Sequence, residues 1–138
     1  MSIYKRLADI QSKLVAPKGQ TNTFGKYQYR SCEDIVEAVK PLLDGLSLTI
    51  DDEVVLIGDR YYIKATASIR DGKEVVTATA YAREPDEKKG MDLAQLSGAT
   101  SSYSRKYALN GLFAIDDTKD ADTLDNRKQA SVSVITKS

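Results

Sequence analysis

A hairpin pattern around Asp71-Gly72 constrains the fold of this chain more than any other part of the sequence. Asp-Gly is a preferred tight hairpin turn, and a turn centred there pairs Ala67 with Val76 and Ala65 with Ala78. This register places apolar side chains on one face of the hairpin and polar side chains on the other. Because a slip by one residue would exchange the two faces, the agreement indicates an antiparallel hairpin.

A second tight turn at Gly58-Asp59 adds a third strand before this hairpin. The run 53–57 then joins onto Arg60. The apolar face is expected to bury four large side chains of these two strands: Val54, Leu56, Tyr61 and Ile63. We therefore predict three antiparallel strands with one buried and one polar face.

Two shorter helices are predicted before the sheet. The first carries an apolar stripe at helical spacing, which we expect to dock on a neighbouring subunit: Ile3, Leu7, Ile10 and Leu14. A polar loop, 16–25, follows, and the alternation in 26–30 predicts a short strand. Ser31 is then expected to cap the second helix, with Asp34 in the capping-box position, and Pro41 predicts an early end near Lys40.

A long helix is predicted from Met91 to about Phe113. Together these elements predict an α+β fold: an antiparallel three- to four-stranded sheet with a long helix packed on it (a β-β-β-α core), plus N-terminal helices. We assign residues 1–115 to one core domain. The polar composition of 116–138 predicts a disordered tail.

Composition excludes several function classes. The chain has no histidine, so histidine-based acid–base catalysis and Ser-His-Asp triads are excluded. The single cysteine, Cys32, excludes an internal disulfide and a cysteine zinc cluster. Twenty basic and twenty acidic residues give a formal net charge of zero, which argues against a histone-like polycation. No apolar run is long enough to span a membrane, and the N-terminus lacks the apolar core of a signal peptide.

Two catalytic patterns are weak. Gly19 and Gly25 flank a loop that resembles a phosphate loop, but the spacing is wrong and Tyr27 stands where a hydroxyl would bind magnesium. Glu87 and Lys89 form an E-x-K pattern typical of metal-dependent nucleases, with Asp71 upstream. Since Asp71 is committed to a turn, a nuclease remains only an alternative, as does a protein-interaction module that uses the polar sheet face. No metal site is expected.

Three places in the sequence carry cations in a setting suited to binding single strands, and in two of them the cations alternate with aromatic residues. The first place is the strand that holds Lys26, Tyr27, Tyr29 and Arg30. The second is the polar sheet face, where Lys64 lies among Tyr62, Tyr81, Arg60 and Arg83. The third is the long helix, in which a run of small residues, 98–102, leads to adjacent cations at Arg105 and Lys106. Small side chains allow another backbone to approach closely.

Three segments in this order resemble the ERF (essential recombination function) family of phage single-strand annealing proteins. They are 24–35 (FGKYQYRSCEDI), the strand 61–67 (YYIKATA) and the helix 97–109 (SGATSSYSRKYAL), which is followed by 112–117 (LFAIDD). The helix segment is the most specific of the three. The resemblance runs from about residue 20 to 122, which is most of the chain.

The resemblance implies a non-enzymatic protein that needs no ATP or other cofactor and anneals complementary single strands of DNA during recombination. It implies that Arg105 and Lys106 clamp the DNA backbone. We expect secondary contacts from Lys26, Arg30 and Lys64, with Tyr27 and Tyr29 as stacking or packing groups. Expected partners are single-stranded DNA, the annealed duplex intermediate, further copies of the chain in a homo-oligomeric ring, and an exonuclease or host single-strand-binding protein. The expected location is the cytoplasm of a bacterial host, with no membrane association.

Overall fold

The computed structural model describes residues 2–23, 25–84 and 93–116, with the side chains at 22, 27 and 93–97 left outside the description. The described elements, in chain order, are α1 (Ile3–Lys13), β1 (Gln20–Asn22), β2 (Tyr27–Tyr29), α2 (Cys32–Val39), a short 3₁₀ helix (Lys40–Leu42), β3 (Ser47–Ile57), β4 (Arg60–Asp71), β5 (Glu74–Arg83) and α3 (Leu93–Phe113). The segment 85–92, which holds the E-x-K pattern, and the tail after 116 lie outside the described residues.

Strands β3, β4 and β5 form an antiparallel sheet in that order, which confirms the predicted fold class. The β4–β5 register differs from the prediction, because Asp71 pairs with Glu74 and Ala67 pairs with Ala78. The turn is therefore Gly72-Lys73, with Gly72 at a φ of 64° in a region that strains other residues. The predicted partners were wrong by two positions. Since side chains alternate with a period of two, the predicted faces are nevertheless correct.

The β3–β4 hairpin confirms the predicted turn at Gly58-Asp59, because Ile57 pairs with Arg60. The side chains at its tip are not buried as expected: Val54 is 60% exposed, Leu56 58% and Tyr61 55%. The described part of α3 packs mainly on β4 and β5 and leaves this end of the edge strand uncovered. The hairpin tip therefore presents apolar side chains to solvent.

Helix α1 uses its apolar stripe inside the domain. Ile3, Leu7 and Ile10 are buried in the same core as α3 and the sheet, so the expectation that they dock on a neighbouring subunit is wrong. Gln11 Nε2 donates a hydrogen bond of 2.9 Å to the carbonyl oxygen of Leu112, which fixes α1 against the end of α3. Helices α1 and α3 cover one face of the three-stranded sheet. Because the apolar stripe of α1 is buried there, it is not available to contact another subunit.

Helix α2 follows the prediction closely. Ser31 and Asp34 form a reciprocal capping box, and the helix ends at Val39 where Pro41 enforces the 3₁₀ turn. The segment 16–25 was predicted to be a loop, but part of it forms β1, which pairs antiparallel with β2. The pairing satisfies backbone groups that a lone strand at 27–29 would leave without partners, and it produces a two-stranded ribbon separate from the main sheet.

Helix α3 is the long predicted helix. Leu109, Leu112 and Phe113 are buried against alanines of β4 and β5, including Ala65 and Ala80. Because alanine side chains are short, the helix lies close to the sheet. No helix in the described ranges is both long and apolar enough to cross a membrane.

Candidate nucleic-acid interface

The outer surface of α3 carries short side chains next to Arg105. Gly98, Ala99 and Ser102 are exposed, and a Cβ added at Gly98 would meet no atom within 4 Å. Thr100, by contrast, faces the core and is only 7% exposed. The short side chains at the exposed positions leave a smooth surface next to the Arg105 cation, as the sequence predicted.

Arg105 is held at this surface by an acid on the edge strand. Its Nε–H donates to both carboxylate oxygens of Asp52, at 3.0 Å each. The Ser101 hydroxyl, one helical turn earlier, donates to the same carboxylate. The side chain of Arg105 is 39% exposed and that of Asp52 is 24% exposed, so the ion pair is open to water on one side.

Lys106 lies in a different environment from Arg105. The residue is only 8% exposed. Its ammonium nitrogen lies 5.8 Å from the ring centroid of Tyr29 and 5.6 Å from that of Tyr107. Both distances are within the range of cation–π attraction. The structure thus brings together Lys106 and Tyr29, two of the sequence-predicted site residues.

The two adjacent cations point in different directions because consecutive residues on an α-helix are about 100° apart. Arg105 faces the edge strand β3 and solvent, whereas Lys106 faces the ribbon. The hypothesis that both contact one DNA backbone stays a prediction. Their surroundings give them different expected effects on stability and on binding.

The ribbon that carries Tyr29 is fixed to α2 through Asp34. Gln20 of β1 donates to both carboxylate oxygens of Asp34, at 3.4 and 3.3 Å, and the Ser31 backbone N–H donates at 2.9 Å. Desolvation raises the pKa of Asp34, but the hydrogen bonds from Ser31, Gln20 and Gly19 outweigh it and hold that pKa below its ordinary value. The carboxylate therefore stays ionised as it holds the ribbon and the helix cap.

The remaining predicted residues of this segment are arranged differently. Arg30 Nε donates to the carbonyl oxygen of Ala16 at 2.7 Å, and its Nη1 donates to that of Asp116 at 3.5 Å, so it links the segment before β1 to the end of α3. Lys26 is exposed, with a positive φ of 56°. The backbone of Tyr27 is in β2, while its side chain lies outside the described residues.

Lys64 lies on the other side of the sheet from Arg105. It pairs with Tyr81 across the β4–β5 ladder, and its ammonium nitrogen lies 5.9 Å from the Tyr81 ring centroid. The neighbouring residue Ala65 is fully buried on the side of α3, so alternation directs Lys64 away from that helix. The structure therefore does not bring Lys64 together with the helix cations.

Cys32, at the start of α2, is buried close to the ion pair. Burial raises the pKa of its thiol, Glu33 raises it further, and the nearby Arg105 partly opposes this through its positive charge. The thiol is therefore protonated near neutral pH and unreactive as a nucleophile.

The catalytic alternatives gain no geometric support. Among the described residues, no group of three or more Cys, Asp or Glu side chains is placed to hold a metal ion. Asp71 is 3.7 Å from Arg6 Nη1, and the E-x-K pattern at 87–89 lies outside the described residues. The glycine-flanked segment contains β1 and precedes β2, whereas a phosphate loop precedes a helix.

The sequence interpretation did not identify Asp52 or Ser101. The predicted strand began at residue 53, which left Asp52 outside the sheet, whereas β3 begins at Ser47. Extending the alternation backwards would have placed Asp52 in the apolar row with Ile50 and Val54. A carboxylate in an otherwise apolar row indicates a cationic or hydrogen-bonding partner on the element packed against that face, and that is the signal that leads to Arg105.

The family model described as the ERF superfamily matches residues 3–138. The chain is 68% identical over 126 residues to the Essential recombination function protein of Salmonella phage P22, an alignment that covers 91% of this chain and 62% of that protein. The chain thus spans less than two thirds of the length of this curated relative. No solved structure matches the chain.

Proposed function

The chain belongs to the ERF superfamily, and we propose that it is a phage recombination protein that binds single-stranded DNA and anneals complementary strands without ATP. Family membership confirms the resemblance found in the sequence. The recombination role is supported by the name of the similar phage P22 protein. Binding and annealing are supported by the surface around Arg105.

One observation carries the proposal. Arg105 is half-exposed beside the short side chains of Gly98, Ala99 and Ser102 on the outer face of α3. A DNA backbone can approach such a surface closely, and a guanidinium forms bidentate hydrogen bonds with phosphate. Lys106, the next residue along α3, faces the ribbon with its side chain buried, and its charge adds to the local positive potential. Lys26, which is exposed, is proposed as a secondary phosphate contact, as are Arg30 and Lys64.

The proposed mechanism needs no covalent step. Contacts with phosphates release counterions and hold the strand, while its bases remain outward and available to pair. A second strand then tests its register against the first, and stacking in the new duplex drives the reaction. Tyr29 and Tyr27 are proposed as packing or stacking groups near the clamp.

We also propose that the protein acts as a homo-oligomeric ring in the cytoplasm of a bacterial host, with an exonuclease or host single-strand-binding protein as a further partner. The outer edges of β3 and β5 support self-association, because edge strands in natural proteins are usually covered. The exposed side chains Val54, Leu56 and Tyr61 at the end of β3 and the start of β4 give a second, apolar reason.

The deciding experiment mixes complementary labelled oligonucleotides with the protein in EDTA and without ATP, and follows pairing by energy transfer. We expect the wild-type chain to accelerate pairing and Arg105→Ala to remove most of the acceleration. Lys73→Ala, in the exposed β4–β5 turn, is the matched control because it removes one positive charge at the end of β4, whereas the Arg105 partner Asp52 pairs with Ala65 in the middle of that strand. Binding should weaken steeply with salt, and the log–log slope should decrease by about 0.7 for each phosphate that the variant no longer neutralises.

Other results would support the alternatives. Strand cleavage that appears only when magnesium is added would indicate a nuclease. Salt-independent behaviour with no binding to single strands would indicate a protein-interaction module. Equal loss of annealing in Lys73→Ala and Arg105→Ala would show that overall charge, and not the α3 surface, determines activity.

A further inference from the structure

We propose that Asp52 is a positioning residue that holds the Arg105 guanidinium ready to receive a phosphate group of single-stranded DNA. This inference rests on the proposed function, since it assigns Arg105 to the DNA backbone. It adds a second residue, on a different element, to the binding site. An acid next to a DNA-binding surface would ordinarily be expected to repel DNA, so the proposal reverses the simple electrostatic expectation.

The first observation is the position of Asp52 in the sheet. Asp52 pairs with Ala65, which is fully buried, and it occupies the same face of β3 as Ile50 and Val54. The Asp52 side chain is 24% exposed, so its carboxylate is only partly desolvated, and hydrogen bonds stabilise it there. Its partners are Arg105 and Ser101, and both belong to α3. The acid therefore faces the helix that carries the proposed clamp.

The second observation is which nitrogen of Arg105 the acid uses. Both carboxylate oxygens accept from Nε, at 3.0 Å each. Neither Nη nitrogen of this side chain hydrogen-bonds to any of the described residues. A guanidinium has five N–H donors, four of which are on the Nη atoms. Asp52 thus occupies one donor and leaves an unoccupied fork of the kind that grips a phosphate.

The physical consequence is preorganisation. A free arginine side chain loses much of its rotamer freedom when it grips a ligand, and this loss weakens binding. The Asp52 carboxylate, itself fixed by the Ser101 hydroxyl, restricts Arg105 before DNA arrives. A lysine at this position has one ammonium group, which cannot offer separate edges to the carboxylate and to a phosphate.

The direction in which Asp52→Asn changes the affinity for DNA distinguishes positioning from repulsion. If Asp52 only repels DNA or competes with it for Arg105, then Asp52→Asn removes a negative charge and tightens binding. If Asp52 positions Arg105, the same mutation weakens binding by about three- to tenfold, the range for one side chain that must now be immobilised. Asp51→Asn is the matched control. It makes the same charge change on the neighbouring residue, which is exposed and alternates to the other face of β3.

The experiment measures the affinity of the full chain for a fluorescent oligo-dT by anisotropy, at several salt concentrations, and melting temperature for every variant. We expect Asp52→Asn and Arg105→Lys both to bind more weakly than wild type, with Asp51→Asn equal to wild type or slightly tighter. In the Arg105→Ala background, Asp52→Asn should have no further effect, because the two residues act as one unit. A melting temperature close to that of wild type is expected for Arg105→Lys, so this arm remains informative if Asp52→Asn folds poorly.

Three results would overturn the proposal, and they differ in what they leave standing. If Arg105→Ala weakens binding but Asp52→Asn binds as tightly as Asp51→Asn, positioning is wrong while the proposed DNA site stands. If Arg105→Ala binds DNA like the wild-type chain, the proposed site on α3 is itself wrong, and the Asp52–Arg105 pair serves only to fix α3 to β3. Wild-type affinity in Arg105→Lys would show that charge alone suffices and would also overturn positioning.

Discussion

Replacing Lys106 should destabilise the folded chain far more than replacing the adjacent Arg105. Lys106 is 8% exposed and lies over two tyrosine rings. The Arg105 side chain is 39% exposed and has one ion-pair partner. Substitution by alanine therefore removes buried packing at one position and a partly hydrated ion pair at the other. The two neighbours provide a matched pair with the same change in charge.

The magnitude for Lys106→Ala follows from what the side chain touches. Alanine lacks three methylene groups of the buried stem, each worth about 0.8 kcal/mol. The interactions with Tyr29 and Tyr107 add about 0.5–2 kcal/mol each, and the relief of a desolvated ammonium group offsets part of the total. We expect a net loss of about 2–3 kcal/mol, which lowers the melting temperature by about 8–12 °C. Arg105→Ala should cost about 0–1 kcal/mol, the usual value of a solvent-exposed ion pair.

Thermal melting followed by far-ultraviolet circular dichroism, repeated in urea, is the appropriate assay. Lys106→Met serves as a third variant because it keeps most of the apolar stem and removes only the charge. Lys106→Met should lower the free energy of unfolding by about 1 kcal/mol. This is the value of the cation–π interactions less the cost of desolvating the ammonium group, which the variant avoids. Equal melting temperatures for Lys106→Ala and Arg105→Ala would refute the reasoning. That result would mean that the Lys106 side chain is not held against the two tyrosine rings and is as accessible as that of Arg105.

Three further predictions concern other parts of the molecule. Hydrogen bonds outweigh desolvation and lower the pKa of Asp34 below its ordinary value, so the ionised carboxylate should stabilise the fold at neutral pH and lose this effect as the pH falls through the lowered pKa. Asp34→Asn should therefore melt at a lower temperature than wild type at pH 7, and the difference between the two melting temperatures should narrow progressively below about pH 4. Leu56→Ser should reduce self-association in light scattering, whereas Val15→Ser, at an exposed residue outside the sheet, should not; equal effects would argue against the hairpin tip as an interface. Ala114 has a φ of 56° at the end of α3, so Ala114→Gly should stabilise the chain by about 1 kcal/mol in urea unfolding, and an unchanged midpoint would contradict the assigned helix end.

Periodicity predicted the elements of this fold well. The alternation in β4 and β5, the capping box at Ser31 and the helical end before Pro41 all depend on residues close together in the sequence, and the structure confirms them. The β4–β5 register was wrong by two positions. Alternation fixes the face of a side chain but gives the same face for registers that differ by two. Only the geometry of the turn, with Gly72 at positive φ, decides between them.

The residues of the candidate site were also identified from the sequence. The role proposed for Arg105 and Lys106 comes from the resemblance to the ERF family, to which the chain belongs. Their different environments were not predictable from the sequence. The adjacent cations separate because β3 brings Asp52 to one side of α3, and the β1–β2 ribbon brings Tyr29 to the other. Asp52 and Arg105 are 53 positions apart, a separation that no local pattern spans. The sequence by itself determined the faces of β4 and β5, the capped start of α2 and the long helix α3, but neither strand β1 nor the exposure of the β3–β4 hairpin tip. The tertiary structure decided which charge is buried and which is left open to solvent, because the electrostatic environment of a side chain depends on the elements packed around it.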